Sequence, residues 1–313
     1  MKRPRVIKNV AASVRQRLYN RAREQGEDFD LTLSRYAVER FLYRLSRSPC
    51  ADGFVLKGAH LFSLWTGSPH RMTRDLDVLG RGAPDLPRLE AVFRAVCAQT
   101  AEPQDGIEFL TDSVKGEEIR EGAEYQGLRM RLAYDIAGAR GTLQVDIGFG
   151  DAVTPAPALV EYPSLLDLPA SRLRAYPRET VVAEKYQALV MLGLGNSRMK
   201  DFYDLFVLAS QFSFEGALLS RAIQATFERR RTPLPERAAL ALTPDFAKDP
   251  AKQRQWSGFS NRGRLKSTPT DLEAVIDAIR AFLLPPTQAL ARGEAFGETW
   301  PAGGPWKPGE ETG

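Results

Sequence analysis

The motif Thr-Arg-Asp-Leu-Asp at residues 73–77 carries two carboxylates that could hold a metal ion. Successive side chains of a strand point to opposite faces, so Asp75 and Asp77 would share one face while Leu76 and Val78 pack on the other. Paired carboxylates repel each other unless a cation lies between them, and hard oxygen ligands suit Mg²⁺. The motif therefore indicates a metal site, and the alternative is a solvated turn at the end of a strand.

Gly58 precedes this motif and follows a short apolar run at residues 54–56. Glycine lets the backbone approach a bulky anion, and the apolar stretch from there to Trp65 is typical of a helix. The first turn of a helix directs free N–H groups and a positive dipole end at an anion. The sequence therefore predicts a phosphate group bound beside the metal.

Asp146 lies at the centre of the apolar strand predicted for residues 142–149. Leu143, Val145 and Ile147 face the core in this pattern, so Asp146 lies on the opposite face. A lone buried acid is costly without a partner. Asp146 thus requires a cation, or a metal shared with an Asp pair on another strand, unless it is simply exposed on a solvated sheet face.

Three charged residues of the second half of the chain form another candidate cluster. Lys185 follows Glu184 in an otherwise apolar helix, and Asp201 and Asp204 are spaced to share a face of the next helix. One interpretation is a structural salt bridge that joins the two helices. It is compatible with a phosphate-binding lysine that a carboxylate positions.

The hydrophobic pattern divides the 313-residue chain into four parts. Residues 1–150 are predicted to hold N-terminal helices and a strand-rich core, and residues 151–177 a proline-rich connector without helix. Residues 178–297 are predicted to form a helical domain that completes the site, and residues 298–313 a disordered, Gly- and Pro-rich tail. The predicted helices span residues 9–24, 31–46, 86–99, 178–192, 199–211, 213–230 and 272–284.

Composition predicts a cytoplasmic protein without a membrane span. The chain has only two cysteines, in no metal-binding spacing, and no apolar stretch approaches the roughly 20 residues that a membrane helix needs. Residues 1–50 hold 12 Lys and Arg against 5 Asp and Glu, which weakly favours RNA as a partner. Within this segment Arg40, Arg44 and Arg47 form a stripe at helical spacing that could follow a phosphate backbone. The alternative is a solvated helix face paired with Glu39.

Five motifs in this order resemble the AbiEii/AbiGii toxin family of nucleotidyltransferases. This family is similar to DNA polymerase β in its catalytic core and acts as the toxin of type IV toxin–antitoxin systems. The motifs are Phe-Val-Leu-Lys-Gly-Ala at residues 54–59, Arg-Met-Thr-Arg-Asp-Leu-Asp at 71–77, Val-Asp-Ile at 145–147, Ala-Glu-Lys at 183–185 and Arg-Met-Lys-Asp-Phe-Tyr-Asp-Leu at 198–205.

The resemblance implies an α+β fold, with a polymerase-β-like mixed sheet, flanking helices and a helical C-terminal half. It implies transfer of a nucleoside monophosphate from an NTP to RNA, with the 3′ end of tRNA as acceptor, and an antitoxin encoded as a separate chain. Asp75, Asp77 and Asp146 would hold Mg²⁺, as a two-metal site, and Lys185 and Asp201 would complete the catalytic set. The residues implied in nucleotide binding are Gly58, His60, Arg71, Lys185 and Asp204. His60 replaces the Ser or Thr that the family commonly has, so its N–H would have to donate to phosphate.

Thr73 is a candidate for regulation, because phosphorylation two residues before Asp75 would add about −1.5 to −2 charges beside the metal. Two other functions remain open from the sequence. The same core could modify a hydroxyl of a protein or a small molecule. The chain could also be a non-catalytic RNA-binding module that uses Arg40, Arg44 and Arg47.

Overall fold

The computed structural model describes residues 9–67, 69–121, 125–263, 265 and 271–309. The chain forms two compact units. The first comprises Met1–Gly150 and Ala158–Ala175, and the second comprises Asp151–Pro157 and Tyr176–Gly313. The chain therefore passes from the first unit to the second at residue 151, returns to the first at residue 158 and enters the second again at residue 176.

A mixed sheet forms the centre of the first unit. In the part of the chain that the structure describes, its seven strands have the order β3-β4-β5-β2-β1-β7-β6. β2 runs parallel to β5 and β1 parallel to β7, whereas the other neighbours are antiparallel. The predicted mixed α/β sheet is confirmed. The strands are β1 (Phe54–Lys57), β2 (Leu76–Gly80), β3 (Glu108–Glu121), β4 (Tyr125–Ile136), β5 (Ala139–Phe149), β6 (Ala158–Tyr162) and β7 (Ser171–Ala175).

The helices of the first unit pack against this sheet. α2 packs against β5 and β7, and α4 packs against β3. Phe41 of α2 and the strand residues Val78 and Ile147 are at most 1% exposed, so burial of their apolar surface holds the layers together. These helices are α1 (Val10–Gln25), α2 (Phe29–Ser46), α3 (His60–Thr66) and α4 (Leu86–Cys97).

Residues 151–177 are not the simple connector that their proline content predicts. They contain β6 and β7, and β7 pairs with β1 at the centre of the first unit. Proline is compatible with this arrangement because all five prolines lie outside the two strands, where no ladder hydrogen bond is lost. The prolines therefore mark the ends of the strands rather than the absence of strands.

The second unit is mainly helical. The structure confirms α5 and α6 with the predicted bounds, whereas α10 continues past the predicted end at Leu284 through two prolines. Among the described residues, no helix combines the length and the apolar character required to cross a membrane. The helices are α5 (Arg178–Leu192), α6 (Met199–Gln211), α7 (Gly216–Arg229), α8 (Pro244–Lys248), α9 (Pro250–Gly263) and α10 (Leu272–Ala291).

The C-terminal segment packs on the second unit, so the predicted disordered tail is wrong for residues 298–309. Two residues, Thr299–Trp300, form β9 against β8 (Phe214–Glu215), and Trp300 is 4% exposed. Pro286 has no N–H to donate to the Phe282 carbonyl inside α10, and the indole N–H of Trp306 donates to that oxygen instead, at 3.0 Å. Residues 310–313 lie outside the described part of the chain.

Candidate active site

Five charged residues lie in one row across the sheet of the first unit. In-register pairing places Lys57 of β1 beside Asp77 of β2, and Asp77 beside Asp146 of β5. The row continues through Arg129 of β4 to Glu117 of β3. Directly paired residues of a sheet point to the same face, so all five share one face. The structure thus brings Asp77 and Asp146 together on neighbouring parallel strands.

Asp75 immediately precedes β2, which begins at Leu76. The strand predicted to present both acids therefore includes Asp77 but not Asp75. Asp75 is exposed and Asp77 is half-buried. The loop before β2 consequently supplies one carboxylate and the strand supplies the other.

Gly58 makes room for the Asp77 carboxylate. Its φ of +75° lies in the left-handed region that favours glycine. A Cβ added at this position would lie 2.8 Å from both Cβ and Cγ of Asp77. The close approach that the sequence predicted at Gly58 is thus made to a catalytic candidate of the same sheet.

We expect Gly58→Ala to destabilise the protein by about 1–3 kcal/mol, because alanine would be strained at this φ and would displace Asp77. Urea unfolding measures the loss. Gly53→Ala is the matched control, since a Cβ at Gly53 meets nothing within 4 Å. Equal stability of Gly58→Ala and wild type would show that the turn tolerates a side chain.

Asp146 forms a bidentate ion pair with Arg129. Nε and Nη2 of the guanidinium each donate to one carboxylate oxygen at 2.8 Å. The hydrogen bond with Asp146 is the main cause of a raised pKa of Arg129, and the charges of Asp146 and Asp75 act in the same direction. The cation that Asp146 was predicted to require is therefore present as a side chain, which the sequence interpretation did not identify.

Lys185 is held between two buried carboxylates of α6. Its Nζ lies 2.7 Å from Oδ1 of Asp201 and 2.8 Å from Oδ2 of Asp204. Arg198 adds a contact of 2.6 Å between its Nε and Oδ2 of Asp201. Both aspartates are fully buried, whereas the Lys185 side chain is 13% exposed. The predicted salt bridge between the two helices is confirmed.

The ionised form of Asp201 stabilises the second unit. Burial alone would raise the pKa of Asp201, but the charges of Lys185 and Arg198 outweigh it, so this pKa lies below its ordinary value of 3.8. The contribution is fully present above that ordinary value and is lost as pH falls through the lowered pKa. Asp204 is equally buried, so its carboxylate orients Lys185 and does not face a nucleotide, contrary to its predicted binding role.

His60 is a core residue, which does not fit its predicted role as a phosphate donor. Its side chain is 2% exposed, and Nδ1 lies 3.2 Å from the hydroxyl of Tyr162. Burial is the main cause that lowers the pKa of His60 to about 4, so the ring is neutral at pH 7. The imidazole at this position is therefore buried and uncharged rather than exposed to a phosphate.

The arginine stripe of α2 is directed into the protein, so its predicted RNA-binding role is wrong for Arg40 and Arg44. Arg40 is 0% exposed and Arg44 is 5% exposed. Both contact the buried carboxylate of Asp105, at 3.0 and 2.7 Å. Arg47 is exposed and lies over the ring of Tyr43. The non-catalytic RNA-binding interpretation thereby loses two of its three residues.

Arg71 and Thr73 lie in the same loop as Asp75. Nη1 of Arg71 is 3.4 Å from the Met72 carbonyl oxygen, and the Thr73 hydroxyl is 3.5 Å from that of Asp75. Both side chains are half-buried. Arg71, predicted to bind nucleotide, and Thr73, predicted to be a regulatory site, therefore both lie in the loop that leads to Asp75 and Asp77.

A second polar network in the second unit was not predicted. The Arg230 guanidinium donates to Asp151 and to Gln187, each at 2.9 Å, and lies 3.4 Å from Glu184. Through Arg230, these contacts connect Asp151 to α5, where Glu184 is the residue directly before Lys185. Residues so far apart in sequence carry no spacing signal by which the network could have been found.

The donor chemistry of the first unit fits Mg²⁺. Asp75 and Asp77 supply the hard oxygens that this ion prefers, and Gly58 leaves space for the Asp77 carboxylate. Within the described residues, however, no three Asp, Glu, His or Cys side chains already converge on a metal position. The third acid, Asp146, is engaged by Arg129 through both oxygens, so a metal role for Asp146 requires it to be shared or released.

Comparison with known proteins identifies one protein family. Residues 40–279 match the family model described as Nucleotidyl transferase AbiEii toxin, Type IV TA system. No curated protein matches in sequence. The structure of JHP933 from Helicobacter pylori aligns with 16% identity and a TM-score of 0.44, over 81% of this chain and 88% of that chain. A candidate nucleotidyltransferase from H. pylori aligns with 17% identity and a TM-score of 0.43, over 81% and 91%.

Proposed function

Because the chain belongs to the AbiEii family of nucleotidyltransferase toxins of type IV toxin–antitoxin systems, we propose that it transfers a nucleoside monophosphate from an NTP to RNA. The proposed acceptor is the 3′ end of tRNA, where an added nucleotide would prevent aminoacylation and so block translation. The observation that supports this proposal best is the in-register placement of Asp77 beside Asp146, two residues after Asp75.

In the proposed reaction an acceptor hydroxyl attacks the α-phosphorus, the bond to the β-phosphate breaks, and pyrophosphate leaves. Asp75 and Asp77 would hold Mg²⁺, with Asp146 as the third carboxylate. Metal ions in such a site neutralise charge on the phosphates and favour deprotonation of the attacking hydroxyl. The backbone pairing of β2 with β5 holds Asp77 beside Asp146, which supports assigning both carboxylates to one metal site.

Lys185 is the proposed phosphate-binding cation. Asp201 and Asp204 are positioning residues, because they hold its Nζ at 2.7 and 2.8 Å and are themselves buried. Gly58 and Arg71 are the other proposed nucleotide-binding residues.

The acceptor is identified by incubating the protein with each α-labelled NTP and either total tRNA or a protein extract. We expect label in the tRNA fraction with at least one NTP and release of pyrophosphate. Label in the protein fraction alone would establish a different acceptor for the same chemistry. Absence of label from every acceptor, with any NTP, would refute the proposed transfer.

Family membership also implies an antitoxin as a partner.

We propose Thr73 as a regulatory modification site. We expect Thr73→Glu to lower transfer at least about tenfold, because added negative charge beside Asp75 would disturb the metal and the triphosphate. Thr73→Val, which removes the hydroxyl without adding charge, should retain activity. Labelled-NTP incorporation compares the two variants, and normal incorporation by Thr73→Glu would contradict regulation at this position.

A further inference from the structure

We infer that Arg129 is the internal counter-ion of the acidic residues in the sheet row, and that a divalent cation must compete with it for Asp146. This inference rests on the proposed function, because it takes Asp75 and Asp77 as the metal-binding residues. It concerns a residue that neither the sequence motifs nor the family match assigns to the reaction.

The geometry of the Arg129–Asp146 pair is that of a strong, directed interaction. Two parallel hydrogen bonds of 2.8 Å use both carboxylate oxygens, and this arrangement is stronger and more specific than a single contact. The side chains are 27% and 18% exposed. Solvent therefore screens the pair less than it screens an ion pair on the surface.

The surroundings explain why a cation is required there. Asp146 pairs in register with Asp77 on the neighbouring parallel strand, and like charges at adjacent positions repel each other. The charges of Asp75 and Glu117 also act on Arg129 and raise its pKa. Arg129 thus interacts with three acids, Asp146, Asp75 and Glu117, and offsets the repulsion among the acids of the row in the absence of metal.

The same guanidinium that stabilises the acids would oppose binding of a metal ion at Asp75 and Asp77. The positive charge of Arg129 repels a divalent cation, and its hydrogen bonds occupy the oxygens that Asp146 could offer as ligands. Removing Arg129 should therefore raise metal affinity. A purely structural role would predict the reverse, because a disturbed strand would weaken the metal site.

The test is Mn²⁺ binding, measured from the electron paramagnetic resonance signal of free Mn²⁺, for wild type, Arg129→Gln and Arg131→Gln. We expect Arg129→Gln to bind Mn²⁺ about tenfold more tightly, and to melt at a lower temperature than wild type without metal but to gain more on Mn²⁺ addition. Arg131→Gln is the matched control, since it removes the same charge from the same face of β4. In wild type, Nη1 of Arg131 lies 3.0 Å from Oε1 of Glu117, and the Arg131 side chain is 47% exposed.

Unchanged or weaker Mn²⁺ binding by Arg129→Gln, with wild type binding and Asp75→Asn failing to bind, would overturn the inference and leave the proposed function intact. Failure of every protein to bind Mn²⁺ would overturn the metal assignment as well. Arg129→Lys guards against a variant that does not fold. It keeps the charge but loses the bidentate geometry, so its affinity should lie between those of wild type and Arg129→Gln, and an affinity at or below that of wild type would count against the inference.

Discussion

Asp77→Asn is expected to lower nucleotide transfer by about 10³-fold, the loss typical of removing one preorganised electrostatic group from an active site. The substitution keeps the size of the side chain but removes the charge that lies beside Asp146 and opposite Lys57. Its β2 backbone pairing on both sides remains available, so the fold should persist. Initial rates of labelled-NTP incorporation, compared at equal concentrations of folded protein, measure the effect.

Asp112→Asn is the matched control for this prediction. Asp112 is an exposed acid at the irregular part of β3, outside the charged row. It should retain wild-type activity. If Asp77→Asn and Asp112→Asn transferred nucleotide equally well, the carboxylate of Asp77 would have no part in the chemistry.

Lys185→Ala is expected to cost about 3–5 kcal/mol of unfolding free energy, the usual loss when a buried ion pair keeps only one charge. Asp201 and Asp204 are fully buried, so removing Lys185 takes a cation away from two carboxylates that are shielded from water. Lys185 is also the proposed phosphate-binding cation, so this variant should lose activity as well. The structure predicts loss of activity together with loss of stability, and urea unfolding at pH 7 measures the second effect.

The stability difference between Lys185→Ala and wild type should depend on pH. In wild type the ionised Asp201 stabilises the fold above its ordinary pKa of 3.8, and that contribution is lost as pH falls through the lowered value. In Lys185→Ala the buried carboxylates should instead take up protons more readily than in the unfolded chain. The stability gap between variant and wild type should therefore narrow towards pH 4.

Lys200→Ala is the control for Lys185→Ala, because Lys200 is an exposed lysine of the adjoining helix α6. It should unfold within a few tenths of a kcal/mol of wild type, as surface substitutions usually do. A Lys185→Ala protein as stable as Lys200→Ala would show that the buried carboxylates do not depend on the lysine.

Much of the candidate site was predictable because local patterns determine it. Alternation of apolar and polar residues predicted β5 and the outward direction of Asp146, and helical periodicity predicted α5 and α6 with their bounds. The salt bridge of Lys185 followed from opposite charges at positions where two consecutive helices could meet. These inferences use interactions between residues close in sequence.

The cause of the Arg129–Asp146 pair is also local in sequence. Ala137 and Gly138 both have positive φ, and Ile136 pairs with Ala139, so β4 and β5 are joined by a two-residue hairpin turn. Such a turn fixes the register of both strands. Counting back from the turn places Arg129 opposite Asp146.

Other features could not be inferred because their causes lie far away in sequence. The spacing of Arg40 and Arg44 describes a helix face but not what covers it, and their partner Asp105 lies more than 60 positions further along the chain. The docking of the C-terminal segment depends on the carbonyl that Pro286 leaves without a donor and that Trp306 satisfies. In both cases a distant partner buries the residues: the arginines of α2 do not face RNA, and the C-terminal segment is not disordered.

The most direct test of nucleotide transfer by this chain is to count pyrophosphate released per nucleotide joined to tRNA, for wild type and for Asp77→Asn. We predict equal amounts of pyrophosphate and joined nucleotide for wild type, and neither product above background for the variant. Joined nucleotide at the wild-type level from Asp77→Asn, or tRNA binding by wild type with no pyrophosphate released, would contradict the proposed chemistry.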